Sequence, residues 1–466
     1  MTTFGTTATT PLSTLKTEKL ETRDSPQQLF SKVQEEYQEA FLLESAKGAT
    51  RLAEYSFIGF EPSAVLRVKN GQLEVEDRLT GGRERRKTSD PLEAIRASLG
   101  PLTKREGPHR FIGGAVGYIS YDSVRYWERI PAIAKDDLSV PDMEFGIYTD
   151  GVTFDHSQGR ITYHSLGEDR SQVVRRLLRG KRETGSLQHG PRRPNIPKEK
   201  YERMVEKAKE YITAGDIFQV VPSKRNDFEV AGDLTRFYAE LSRINPSPYM
   251  YFLKFGKRRI VGSSPEMLLR VENRRAETFP IAGTAPRVAN KKENDKITKE
   301  LLADPKERAE HVMLVDLGRN DIGKVAKYGS VKVPELLTIQ QYSHVQHIVS
   351  RVVGDLRDEF DSFDAMRAVF PAGTLSGAPK PRAMEIVEEL EPTRRGPYGG
   401  ALGYFSFNGN ADFAITIRTL VADGNRCSIQ AGGGVVADSI PEKEWEETEN
   451  KAAGLFRAVE AAGGKK

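Results

Sequence analysis

At 466 residues the chain exceeds one ordinary domain, and its 38% hydrophobic and 29% charged residues fit a water-exposed protein with a real core. Its net charge of +4, from 70 basic and 66 acidic residues, gives no electrostatic case for a nucleic-acid partner, and no apolar run is long enough to span a bilayer. The single cysteine, Cys427, excludes an internal disulfide and fits a reducing, cytoplasmic setting.

Residues 1–15 are Thr-rich, lack the basic and apolar regions of a signal peptide, and are expected to be a disordered tail. Ser25-Pro26 then starts a helix, for which Leu29, Val33, Tyr37 and Phe41 set a helical spacing over 26–43. Short strands follow at Tyr55–Gly59, Ala64–Val68 and Gln72–Val75, the last two joined by Asn70-Gly71, a hairpin turn signal. Phe111 to Tyr121 reads as a Gly-rich buried strand. Residues 180–197 combine glycine, proline and charge without periodicity and are the expected linker between an N-terminal region, 16–179, and a C-terminal region, 198–462. Beyond it the pattern predicts helices at 198–214, 233–244, 293–303, 305–316, 361–370, 381–390 and 441–462. Strands are predicted at 217–222, 250–255, 259–262, 267–271, 399–407 and 412–421. This mixture of helices and antiparallel hairpins predicts an α+β fold.

Two acidic helices stand out. Glu307 and Glu310 sit at i, i+3 on one, and Glu444 and Glu447 at i, i+3 on the other, so each pair shares a helix face. Two such faces brought together offer hard oxygens to a divalent cation such as Mg²⁺. Blander readings stand beside this one. Glu307 has capping-box spacing from Asp304, and Glu447 has the i, i+4 spacing of a surface pair with Lys451. Gly432-Gly433-Gly434 follows a strand and exposes backbone N–H groups to an anion, or else forms a tight turn. Arg418 alternates with Ile417 and is expected to point inward, toward a carboxylate of protein or ligand. The segment 373–380 has three residues between its glycines and then Ala-Pro-Lys, which fails the phosphate-loop pattern. His344 and His347 lack the further ligands a zinc site needs.

Longer motifs carry a family resemblance: 217–223 (Ile-Phe-Gln-Val-Val-Pro-Ser), 245–250 (Asn-Pro-Ser-Pro-Tyr-Met), 264–266 (Ser-Pro-Glu), 280–287 (Pro-Ile-Ala-Gly-Thr-Ala-Pro-Arg), 310–321, and 373–380. With the Gly-rich and acidic C-terminal segments, they make the chain similar to the chorismate-utilising enzymes, most closely the large subunits of anthranilate synthase. The resemblance implies antiparallel β-sheets packed as a sandwich with surrounding helices. It implies Mg²⁺ held by Glu310 and Glu447, with Glu307 and Glu444 acting through water. Gly432, Gly433, Gly434 and Lys451 would help hold the ring carboxylate of chorismate, Tyr398 and Arg418 the enolpyruvyl carboxylate, with Gly283 and Thr284 at the border. Glu266 would protonate the departing hydroxyl, His347 would serve pyruvate elimination, and Thr374 would line the cavity. Glu44, Ser45, Pro248, Tyr249 and Met250 match elements that bind tryptophan as a feedback inhibitor. A glutamine amidotransferase subunit would supply ammonia, in a heterotetramer of two large and two small subunits.

Two positions separate the relatives. Water-using members resemble a pattern with a Lys base where this chain has Gln219. The para-aminobenzoate branch often carries a nucleophilic Lys where this chain has Ala282. Both favour ortho amination by ammonia. Aminodeoxychorismate synthase component I and a non-catalytic tryptophan sensor are the competing expectations.

Overall fold

The structure, a computed structural model, describes residues 14–45, 54–100, 110–182, 185–341 and 345–464. Among these, two twelve-stranded antiparallel sheets lie face to face. The first sheet runs from Lys16–Leu20 at one edge, through Glu39–Glu44, Tyr249–Phe255 and Arg258–Ser264, to Ser223–Gly232 and Leu187–His189. The second contains Ile281–Pro286, Val345–Asp355, Met267–Glu272, Ala411–Ile415, Ala401–Ser406 and Gly114–Ile119. Phe41, Tyr251 and Leu253 of the first sheet and Val116, Tyr118, Leu402 and Tyr404 of the second share one core between them. The alternate residues, such as Leu42 and Phe252, face outward into a second core under the helices Pro26–Glu36, Leu234–Ile244 and Pro441–Ala462. The outer face of the second sheet is covered in the same way, by Pro305–Gly323 and Ser362–Val369 among others. Strands with both faces covered read as continuous apolar runs, which explains their sequence signature.

Several expected boundaries move. The helix predicted over 26–43 ends at Glu36, and Phe41 belongs to the strand Glu39–Glu44, paired on both sides. Its helical spacing from Tyr37 is coincidental, because a strand buried on both faces also places an aromatic there. That strand, which carries Glu44, lies in the interior of the first sheet. The predicted linker at 180–197 is partly strand. Leu187–His189 and Arg193–Pro194 both pair with Ser223–Gly232, and the strands of 16–179 interleave with those of 198–462 in one sheet. Of the expected tail, residues 1–13 lie outside the described residues, and the strand Lys16–Leu20 begins directly after it. The Asn70-Gly71 turn is as expected, with φ of 48° and 72°, the left-handed pair a two-residue hairpin turn requires. No helix among the described residues is long and apolar enough to cross a membrane.

Candidate active site

The predicted strand 412–421 is broken. Ala411–Ile415 lies in the second sheet and Thr419–Asp423 in the first, and Arg418 occupies the crossover with φ of 51°. Glu266 sits at a neighbouring crossover, between Arg258–Ser264 in the first sheet and Met267–Glu272 in the second. The two crossovers are bonded together. Ser263 N–H donates to the Arg418 carbonyl at 3.1 Å, and Ile415 N–H to the Glu266 carbonyl at 3.0 Å. Tyr398 joins them, since Gly399 N–H donates to the Thr416 carbonyl at 2.9 Å. Strict alternation therefore gives the wrong reason for Arg418. Its direction is set by a change of sheet.

Burial pushes the Glu266 carboxyl up to about 8, against the opposing pull of a hydrogen bond from Thr374 and of the Lys451 and Arg418 charges. Thr374 Oγ1 donates to Glu266 Oε1 at 3.0 Å. Arg418 is desolvated and pushed below its usual value, with Tyr398, Glu447 and Glu266 pulling it back up. A buried carboxylic acid that keeps its proton near neutral pH stands beside a half-buried cation with no carboxylate in ion-pair range among the described residues.

The acidic helices converge on the same place. Burial raises Glu310, its hydrogen bond from Gln219 lowers it, and the charge of Glu447 raises it further. Burial and then Glu310 raise Glu307, with Glu447 contributing. Burial also raises Glu444, which feels Glu447 as well. The Glu447 charge thus opposes the ionisation of three carboxylates, Glu307, Glu310 and Glu444, that come from opposite parts of the sequence. Gln219 Nε2 donates to Glu310 Oε1 at 3.0 Å, and the buried Glu444 Oε2 lacks a partner among the described residues. The capping box is only half made: Asp304 accepts from the Lys306 and Glu307 amides, while Glu307 Oε2 lies against Gly283, where a Cβ would come within 3.0 Å of it. The plain surface pair is present too, with Lys451 Nζ 2.5 Å from Glu447. No three His, Cys, Asp or Glu side chains among the described residues stand as a preassembled metal cluster. The mutual repulsion, the hard oxygen donors and the orphaned Glu444 oxygen fit a hard divalent cation that draws the helices' carboxylates together.

The three glycines divide. Gly433 N–H donates to the Pro222 carbonyl at 3.2 Å, and the Gly432 amide serves the Tyr398 hydroxyl. Only the Gly434 N–H has no partner among the described residues, so the expected three-amide cradle narrows to one. Lys451 Nζ donates to the Gly432 carbonyl at 2.9 Å. His347 Nδ1 lies 3.1 Å from the Gly283 carbonyl and 3.0 Å from Thr284 Oγ1. A carbonyl accepts, so Nδ1 carries the proton and the lone pair sits on Nε2. Burial holds this imidazole below its usual value, and so neutral. His344 lies outside the described residues.

The elements matched to tryptophan binding also meet. Glu44 pairs with Met250 across neighbouring strands, and its Oε2 accepts from the Tyr238 hydroxyl at 2.7 Å and from Gln27 at 3.2 Å. Ser45 N–H donates to the Tyr55 carbonyl at 3.2 Å. Pro248 is buried, and the Tyr249 hydroxyl donates to Asp412 at 2.9 Å.

The pattern that describes a chorismate binding enzyme matches residues 19–457. Anthranilate synthase component 1 of Methanothermobacter thermautotrophicus is 50% identical over 446 residues, covering 96% of this chain and 94% of that protein. The chain belongs to the chorismate-binding enzymes. Another family member, anthranilate synthase component 1 of Aquifex aeolicus, is 43% identical, covering 96% of this chain and 94% of its own. The crystal structure of anthranilate synthase component I from Streptococcus pneumoniae superposes with a TM-score of 0.77 at 37% identity, over 87% of this chain and 92% of that one. The Escherichia coli isochorismate synthase MenF shares the family fold, with a TM-score of 0.71 at 18% identity, over 96% of this chain and 95% of that one.

Sequence reasoning missed the groups that brace this family site. Arg395 is buried, ion-pairs with Glu391 at 2.6 Å, and donates to the Leu375 and Val221 carbonyls at 2.6 Å each. Its guanidinium stacks 5.8 Å from the Tyr398 ring. Lys380 Nζ donates to Asp321 at 2.7 Å, tying the 373–380 motif to the 310–321 motif. For Lys380 the signal was a charged residue at the end of the motif 373–380, which requires a partner when buried; Arg395 lies outside the quoted motifs, in the polar run 391–397.

Proposed function

We propose that the chain is an anthranilate synthase large subunit. It aminates chorismate at C2 with ammonia, expels the C4 hydroxyl, and eliminates pyruvate to give anthranilate, the first step of tryptophan biosynthesis. The observation that carries this reading is Glu266, a buried acid held to about 8 beside Thr374 and two cations. At neutral pH it donates a proton to the departing hydroxyl oxygen, which leaves as water. Arg418 and Tyr398 grip the enolpyruvyl carboxylate, and Lys451 and the Gly434 amide face the ring carboxylate. Neutral His347, with its lone pair on Nε2, takes up the ring proton lost when pyruvate departs. Gln219 is committed to Glu310 and has no basic nitrogen, so it activates no water. Glu310 and Glu447 would hold Mg²⁺, with Glu307 and Glu444 bound through water. That ion supplies charge neutralisation and orientation of the ring carboxylate.

We further infer feedback inhibition by tryptophan at Glu44, Ser45 and Pro248–Met250, and a glutamine amidotransferase partner, in keeping with relatives named as one component of a synthase. The test is direct. Purified chain, chorismate, Mg²⁺ and ammonium salt should yield fluorescent anthranilate, and a chelator should stop it. Aminodeoxychorismate in place of anthranilate, or tryptophan binding with no product, refutes the proposal.

A further inference from the structure

Away from this site, on the outer face of the first sheet, a cavity of about 420 Å³ lies beside the helix Pro26–Glu36, the start of the helix Leu234–Ile244 and the strand Arg258–Ser264. Gln34, Arg182, Ser186, Asp233, Phe252 and Arg259 line it. Its two arginines differ. Arg182 has carboxylates of its own, lying 2.5 Å from Asp233 and 2.9 Å from Glu35, and donates to the Ser31 carbonyl at 2.7 Å. Arg259 donates to the Lys257 carbonyl at 2.8 Å, and no carboxylate among the described residues lies within ion-pair range of it.

The setting of Arg259 is unfavourable without an anion. It faces Lys254 directly across the strand pair, and like charges so placed repel. Lys254 is committed elsewhere, donating to the Gln34 and Tyr37 carbonyls at 2.6 and 2.7 Å. Burial, followed by repulsion from Arg259, brings its ammonium down to about 8. Burial also pushes the Arg259 guanidinium below its usual value. Arg418 shows the same sign. Arginines paired with carboxylates, such as Arg67, Arg170, Arg225 and Arg395, are displaced upward instead. Arg259 is a partly exposed guanidinium on the cavity wall with no carboxylate in ion-pair range among the described residues, the arrangement Arg418 shows in the active site, and Asp233 on the same wall reaches it only as a more distant charge.

We propose that this cavity is a second carboxylate-binding site, taking a small organic acid whose carboxylate pairs with Arg259 and whose apolar body lies against Leu234 and Phe252. It is distinct from the elements around Glu44. Those meet Gln27 at the start of the same helix, whereas Gln34 lies about two turns further on.

The test uses 4-fluorobenzoate as the probe, followed by ¹⁹F NMR on the full chain carrying Arg418→Ala, which removes the carboxylate grip of the active site. The probe should bind, and Arg259→Met on that background should weaken it about tenfold or more, the loss expected for one charge-assisted hydrogen bond. Ser186→Trp, on the exposed rim, should block the cavity with the sheet untouched. The uncharged 4-fluorobenzamide should not bind. Arg259→Met alone should leave anthranilate formation at the wild-type rate. Absence of probe binding, equal affinity in both variants, or equal binding of the amide overturns the proposal.

Discussion

Thr374→Val isolates the group that tunes the acid. Thr374 Oγ1 donates to Glu266 Oε1 at 3.0 Å and so stabilises the ionised carboxylate, opposing the burial that raises Glu266 to about 8. Valine keeps the shape and removes the donor. A hydrogen bond to a charged group contributes roughly 1.5 kcal/mol or more, which moves a titration by about one pH unit. The sign follows from which form the bond favours. Without it the protonated acid persists to higher pH, so the alkaline limb of kcat should move up. The assay is anthranilate fluorescence across the pH range at a fixed concentration of free ammonia, so that titration of ammonium does not contribute. A limb that stays in place, or moves down, refutes the role given to Glu266.

Other outcomes follow from the same contacts. Arg418→Ala should raise KM for chorismate by roughly tenfold to a hundredfold, since it removes a charge-assisted grip on a carboxylate; an unchanged KM contradicts that grip. Glu266→Gln should alter the pH dependence of stability. The folded-state value of Glu266 is raised, so wild type is favoured below the usual carboxyl value of 4.5 and loses that advantage as pH rises toward about 8. The melting temperature of the glutamine variant should therefore gain on wild type across that window. Arg395→Met strands the buried Glu391 carboxylate and should cost about 3–5 kcal/mol in urea unfolding. It should also loosen Tyr398, whose ring the guanidinium covers.

Local rules made much of this molecule legible. The start of the helix at Asp304 was readable because Asp, Pro and Glu satisfy the end of a helix in known positions, and Asp304 does accept from the Lys306 and Glu307 amides. On the predicted helix 441–462, Thr448, Ala452, Leu455 and Val459 form a buried stripe at helical spacing. Composition could not reveal which strands change sheet. The break at Arg418 lies inside a run predicted as one strand, without the loop residues that would announce it, whereas Ser264-Pro265 marks the break before Glu266 but not the change of sheet; both crossovers are fixed by pairing with distant strands. The linker failed for the same reason. Gly- and Pro-rich residues there take short strands because the edge of Ser223–Gly232 offers unpaired backbone groups. The convergence of Glu310 and Glu447 came from family motifs, since the helices are far apart in sequence and each alone also fits an ordinary surface pattern.

The most direct measurement is the binding of Mn²⁺, a stand-in for Mg²⁺, to the full chain by EPR. Glu310→Gln and Glu447→Gln should each weaken the ion by about tenfold or more, with the folded chain retained by circular dichroism. If either variant holds Mn²⁺ as tightly as wild type, the two glutamates do not share an ion.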